Sequence, residues 1–285
     1  MANVNYGIID AHIHQQPWRM LKPEILKAMA GSEDTARMME LMYDTKKFIT
    51  YMDEQGIEQA WTINYVSPDI MGFTDEVNDY AVASAKQFPK RIIPFGSIHP
   101  LFTKDAGKEM DRIIKIGIRG IKIHSVHQLI YPNAYRDGLK ALEIIYKKAE
   151  NNGLPVMFHT GTSIFKNARA KYGDPIYIDD VAVDFPNLKI ILAHGGRPIW
   201  METAVFLVRR HKNVFMDISS VPPQSLLEYF PKLEKIADKV LYGSDWPGPG
   251  VRNLGTNIQS FLKLPLTNEA KRNILRDNAS KIIGR

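Results

Sequence analysis

The chain has 285 residues, 45% of them hydrophobic and 24% charged, with a formal net charge of +6 at pH 7. That composition is ordinary for a soluble globule, and the length suits one large domain such as an α/β barrel of about 250 residues. Cysteine is absent, which removes disulfides, thiolate metal sites, iron–sulfur clusters and a cysteine nucleophile together.

Lysine and arginine are scattered along the chain rather than gathered in a block, so nucleic acid is not an expected partner. A mild positive bias is more economically used on a small anionic substrate. No stretch approaches the ~20 apolar residues of a membrane span, and no charged segment followed by an apolar one opens the chain. The expected location is therefore the cytoplasm, with no membrane partner.

Eight short apolar runs bounded by turn residues recur: Gly7–His14, Ile57–Ile63, Arg91–His99, Gly117–His124, Pro155–His159, Leu188–His194, Asn213–Ser219 and Lys239–Asp245. Helical periodicity fills most of the intervals, as in Glu76–Phe88, Lys104–Ile116, Gly138–Asn152 and Ile199–His211. Several of these segments stop at Gly or Asn just before the next run, as at Asn151-Asn152-Gly153. Such alternation implies parallel strands joined by crossover helices, and eight repeats fit a single (β/α)8 TIM barrel over residues 1–285.

The first run closes on Asp10-Ala11-His12-Ile13-His14. Strand alternation sends Asp10, His12 and His14 to one face, where two imidazoles can reach one cation. An insertion at about 15–44 follows, rich in Met (Met20, Met29, Met38, Met39, Met42) with Trp18 and Tyr43. It reads as helices packed over the barrel with Met filling gaps. Insertions after barrel strands also sit on the catalytic face, so a lid or a homodimer surface is the functional reading.

Lys122 and His124 share a face of the fourth run, with His99 and His127 nearby in the loops after the third and fourth. Lys122 is expected to contact a substrate anion or to form a structural ion pair, and His124 to touch substrate. His159 and His194 end the fifth and sixth runs, and Asp245 ends the eighth. Arg197, just past Gly195-Gly196, can meet a carboxylate at a helix start or cap that helix. His211 falls at the opposite end of the barrel and reads as structural, as do Trp61 and Trp200 as packing; Trp246 also packs or walls the pocket. The C-terminal strand ends of a barrel converge on one mouth. There His12, His14, His159, His194 and Asp245 offer the nitrogen and oxygen donors that a cation such as Zn²⁺ takes. The chain thus reads as a metal-dependent enzyme.

The phrases Ile9-Asp10-Ala11-His12-Ile13-His14, Ala193-His194-Gly195-Gly196 and Gly243-Ser244-Asp245-Trp246-Pro247 resemble the amidohydrolase superfamily, in its amidohydrolase-related branch. That branch holds hydrolases as well as aminocarboxymuconate-semialdehyde and hydroxybenzoate decarboxylases. The resemblance implies that His12, His14, His159 and Asp245 hold one divalent metal, zinc in first place. It makes His194 an acid/base beside the metal and Asp245 a second proton acceptor. Binuclear members carry a carboxylated lysine at the fourth strand, which would make Lys122 a bridging ligand; His124 and Arg197 are further second-metal or substrate candidates. One metal is expected rather than two. Hydrolysis of an amide, ester or lactone of a small acidic substrate ranks first. Non-oxidative decarboxylation of an aromatic or unsaturated acid ranks second, and a metal-free or non-catalytic barrel last. Specificity is expected in the loops Ser125–Tyr135 and Ser163–Asp174, the latter with Lys166, Arg169 and Lys171.

Overall fold

The computed structural model describes residues 6–30, 34–248, 251 and 253–284. Strand β1 (Ile8–Ile13) leads into α1 (Pro23–Ala30), α2 (Thr35–Tyr43) and α3 (Thr45–Glu54), and then β2 (Ile57–Ile63). Next come α4 (Glu76–Gln87), β3 (Ile92–Gly96), α5 (Ala106–Ile116), β4 (Gly120–Ile123), α6 (Ser125–Gln128), α7 (Lys140–Asn151) and β5 (Val156–His159). Helix α8 (Ile178–Asp184), β6 (Ile190–Ala193), α9 (Met201–Arg210), β7 (Val214–Asp217), α10 (Leu226–Tyr229) and β8 (Val240–Leu241) follow. Helices α11 (Leu254–Leu262), α12 (Asn268–Arg272) and α13 (Asn278–Ile282) end the chain's described course.

The eight strands form one sheet in sequential order, every neighbouring pair parallel. Residues past β8 close it onto β1: Ala11 N donates to Tyr242 O (2.9 Å), Asp245 N to His12 O (2.8 Å) and His14 N to Trp246 O (2.7 Å). The expected TIM barrel is the observed architecture. Strands covered on both faces read as continuous apolar runs, Ile190–Ala193 among them.

A large core lies between strands and helices, and a smaller one, with Trp61, Phe95, Met157, Ile191 and Leu241, lies inside the barrel. Ala279, Ile282 and Ile283 join the inner core. They seal the N-terminal end of the strands, where Lys189 Nζ donates to Ile282 O (2.6 Å) and Arg119 Nη2 to Ile283 O (3.2 Å). Only the C-terminal mouth is left for chemistry.

Two departures from regularity matter. The inserted segment becomes α1 and α2, with residues 31–33 outside the described ones; Met38 and Met42 are buried in the core. The connection from β7 to β8 carries α10, of four residues, and a seven-residue 3-10 helix, Leu233–Lys239, where one longer α-helix would normally run. Among the described residues no helix is long and apolar enough to cross a membrane.

Candidate active site

The β1–β2 ladder shifts register between Asp10 and Ile13. Asp10 is consequently not aligned with the two histidines as plain alternation suggests. Its Oδ1 accepts from His12 N and Ser244 N, both at 3.0 Å, and burial pushes its carboxyl up to about 7. It braces the junction of β1 with the segment after β8.

His12 and His14 each have one ring nitrogen committed to an acceptor. His12 Nδ1 donates to Asp217 Oδ2 at 2.8 Å, and His14 Nδ1 to the Ile63 carbonyl at 2.9 Å. Both Nε2 atoms are left facing Asp245 Oδ1, at 3.5 Å from His12 and 3.0 Å from His14. His12 Nε2 is buried and has no hydrogen-bond partner. Donor atoms of His12, His14 and Asp245 lie within 4.8 Å of one another. Lone pairs converging at that spacing repel unless a cation sits among them, and two imidazoles with a carboxylate suit a divalent one. His12, His194 and Asp217 form a second such group. There, however, Asp217 is already filled by the His12 ring, the Ser219 hydroxyl and backbone amides.

Asp217 and Ser219 escaped the sequence reading. Asp217 Oδ1 accepts from His194 N (2.9 Å) and Ser219 N (3.0 Å), besides the Ser219 hydroxyl. With the Ser219 proton directed to Asp217, Ser219 Oγ accepts from His194 Nδ1 at 2.7 Å; the Ser219 carbonyl, an acceptor only, lies 3.3 Å from the same nitrogen. His194 is therefore the Nδ1–H tautomer, and Nε2 is its proton-exchanging atom. Burial alone would raise the Asp217 carboxyl, but the His12 charge and these hydrogen bonds bring it below the usual range. Burial, with Arg197 and the neighbouring imidazoles, holds His194 well below its ordinary value against the pull of Asp245.

Three residues of the site sit in the left-handed region that non-glycine residues rarely occupy: His194 and Asp245 at φ +66° and Ser220 at φ +55°. Gly161 shows why glycine is needed across from them. At φ +110°, a Cβ there would stand 2.1 Å from the Arg197 carbonyl, which accepts from Thr162 N at 3.1 Å. This close approach fixes the start of the Arg197 loop.

The residues enclose a cavity of about 180 Å³ whose lining includes His14, His194, Arg197 and Asp245. Arg197 Nη2 lies 3.9 Å from Asp245 Oδ2, and its Nε is buried without a partner. Ser220 Oγ donates to Asp245 Oδ2. Burial would raise Asp245, but His194, His14 and His12 hold it well below the carboxylate range. His159 also lines the cavity, yet it falls outside the group formed by His12, His14 and Asp245. Its Nε2 lies 3.2 Å from Thr162 O. It stacks on His124 at 4.1 Å between ring centroids, and His124 stacks on His127 at 3.7 Å. His127 is pinned between Tyr65 Oη (3.1 Å) and Ser163 Oγ (2.8 Å).

Lys122 is wholly buried and Nζ has no partner. Burial pushes its amine down to about 8, although Asp217 and Asp245 oppose the shift. Since the unfolded amine titrates near 10.5, the folded protein carries a destabilising charge below pH 8 and loses it before the unfolded chain does. Stability should therefore rise between pH 8 and 10.5. In metal-free protein, Lys122→Met should raise unfolding free energy by about 1–3 kcal/mol near pH 7 and abolish that rise. Urea unfolding at both pH values checks this; a less stable variant with the rise intact would mean the amine has a partner.

The remaining candidates lie elsewhere. His99 stacks on Phe102 at 4.2 Å and is pushed by burial down to about 4; it is absent from the cavity lining. His211 pairs with Asp179 at 2.6 Å. Trp246 packs on Phe48 and Tyr51, and Trp61 on Phe95. From the fifth-strand loop, Ser163, Ile164 and Phe165 reach the cavity, whereas Lys171 lies over Tyr131 and Tyr172 and Arg169 turns to the carbonyls of Asn167 and Ala168. Met29, from the insertion, forms part of the wall.

Comparison with known proteins adds three findings. The family model described as Amidohydrolase matches residues 9–285. A 2-amino-3-carboxymuconate-6-semialdehyde decarboxylase of Dictyostelium discoideum is 25% identical over 252 residues, covering 76% of this chain and 67% of the relative. Among solved structures, a TIM-barrel protein from Bordetella bronchiseptica superposes with a TM-score of 0.77 at 24% identity, over 98% of this chain and 100% of that one. A 5-carboxyvanillate decarboxylase from Sphingomonas paucimobilis gives 0.69 at 18% identity, over 98% and 99%. Both likenesses establish the fold.

Proposed function

The chain belongs to the amidohydrolase family of metal-dependent enzymes, and we propose that within it this protein is a decarboxylase acting on a small aromatic or unsaturated carboxylic acid. The observation that carries the reading is the make-up of the cavity: Arg197 and a set of imidazoles surround the single carboxylate Asp245, in about 180 Å³. Such a lining receives an anion of single-ring size. The decarboxylase relative supports carbon–carbon cleavage over hydrolysis.

His12, His14 and Asp245 would hold the divalent metal, with His159 the candidate for a further ligand. The orphaned His12 Nε2 fits that assignment. When bound, the metal supplies a Lewis acid that orients and polarises substrate oxygens. Asp217 keeps the His12 ring oriented, and Ile63 O does the same for His14. Arg197 binds the substrate carboxylate through charge-assisted hydrogen bonds. His194, its Nδ1–H held by Ser219, takes a proton at Nε2 from water or from the bound acid and delivers it to the carbon as the carbon–carboxylate bond breaks and carbon dioxide leaves.

Asp217→Asn should weaken metal binding about 10–100-fold, since an amide both aligns the His12 ring less firmly and lowers its basicity. Competition with a chelator measures this, and an unchanged affinity would reduce Asp217 to a structural role. The activity itself is tested by following carbon dioxide release from a panel of aromatic and unsaturated acids, with and without added metal. Metal-dependent release in step with substrate loss is expected. Turnover of lactones or amides with no carbon dioxide from any acid would transfer the site to hydrolysis.

A further inference from the structure

One wall of the cavity carries a hydrogen-bonded relay that the metal and proton chemistry leaves unused. Tyr65, His127 and Ser163 all line the cavity, and they come from the loop after β2, from α6 and from the loop after β5. Tyr65 Oη lies 3.1 Å from His127 Nδ1, and Ser163 Oγ 2.8 Å from His127 Nε2. The middle member is held firmly. His127 is buried, stacked on His124 and edge-on to Phe165. Ser67 Oγ donates to the His127 carbonyl, and Gln128 Nε2 to the carbonyls of Val66 (3.1 Å) and Ile98 (3.2 Å).

The protons set the direction of the relay. Burial, with Lys122 and His14, pushes His127 down to about 3, so at neutral pH its ring has one N–H and one acceptor nitrogen. Burial also raises the Tyr65 phenol above its ordinary value and keeps it protonated. Three protons are thus shared over two links, and one is left over at an end. Among the described residues Tyr65 Oη meets no acceptor but His127 Nδ1, and a buried O–H is costly to leave unpaired. Tyr65 therefore donates to Nδ1, and Nε2–H donates to Ser163 Oγ. Phe165 N also donates to Ser163 Oγ, at 3.3 Å, which fills both lone pairs of that oxygen. The Ser163 proton has no acceptor among the described residues and is presented to the cavity that the residue lines.

We propose that Ser163 is a specificity-determining residue whose hydroxyl, aimed by Tyr65 and His127, donates to an uncharged oxygen of the substrate. The acid taken then carries an ether, carbonyl or hydroxyl oxygen besides its carboxylate. The inference rests on the reading of the cavity as an acid-binding site. Thr162 N, one residue earlier, donates to Arg197 O at 3.1 Å, so the charged and the neutral receptor stand on joined loops. Arg197 takes the carboxylate, because a charge-assisted hydrogen bond is about twice as strong as a neutral one. Ser163, its lone pairs filled, can only give a proton. It favours an oxygen and turns away an ammonium or a methyl group.

Calorimetric titration of the manganese-loaded protein tests this with the three ring isomers of methoxybenzoate and their ethylbenzoate counterparts. The members of each pair match in size and carboxylate and differ by an oxygen in place of a methylene. For at least one pair, Ser163→Ala should lower the methoxy-to-ethyl affinity ratio about three- to tenfold, the worth of one neutral hydrogen bond, and leave the ethyl acid's affinity nearly unchanged. Tyr65→Phe frees the direction of the relay, so it should lower the same ratio with Ser163 intact. In the double variant the two losses should not add, whereas independent contacts would add. Circular dichroism verifies that each variant keeps its fold. A ratio unmoved by Ser163→Ala in every pair overturns the proposal, as does a loss that both members of each pair share equally. Additive losses in the double variant overturn the relay. Failure of all six acids to bind removes the acid-binding site and the proposal with it. The readout is binding, so carbon dioxide release decides the decarboxylase reading separately.

Discussion

Asp245→Asn should bind little or no metal and lose about 10⁴-fold or more in kcat, yet keep its fold. Asp245 Oδ1 is the atom that both free Nε2 nitrogens face, at 3.0 and 3.5 Å. Replacing it removes the charge that draws a cation between them. Asparagine is chosen because φ at this position is +66°, and Asn tolerates left-handed backbone better than Ala does. The backbone bond from residue 245 N to His12 O that helps close the barrel survives the change. His12→Ala should behave alike through loss of a ligand, with a further cost in stability from the buried Asp217 left without its imidazole. Elemental analysis beside a thermal melt separates the two effects. An Asp245→Asn protein with full metal content and activity would remove Asp245 from the cradle.

His194→Asn should show the opposite split: metal retained, KM little changed, and kcat lowered by about 10²–10⁴. His194 Nδ1 is occupied by Ser219, so the ring offers the site its Nε2 alone. Asparagine again suits φ of +66°. It reproduces the polar shape but carries no titrating proton. Loss of metal with His194→Asn would reassign the residue as a ligand. Unchanged turnover would mean that the proton comes from elsewhere.

What could be read from the chain follows the range of the interactions. His12 and His14 announce themselves because two residues' spacing and an apolar run are local signals. His159, His194 and Asp245 gain meaning only through the barrel, which the strand–helix alternation makes legible. Asp217 had no such signal. Its importance comes from His12, 205 positions away, and an aspartate at a strand end looks like any other. The register shift between Asp10 and Ile13 is equally invisible, since alternation assumes a regular strand; this is why Asp10 braces backbone amides instead of lining the mouth. Lys166, Arg169 and Lys171 suggested an anion site by composition. The cation that lines the cavity is Arg197, whose placement depends on the close approach of Gly161.

The most direct measurement is the divalent metal content of protein purified without chelator, by elemental analysis, set beside the same measurement on Asp245→Asn. One equivalent per chain in the wild type and almost none in the variant, with both folded, is the result expected of a cradle built from His12, His14 and Asp245. Wild-type protein that holds no metal and gains neither metal nor activity when manganese or zinc is supplied would contradict it.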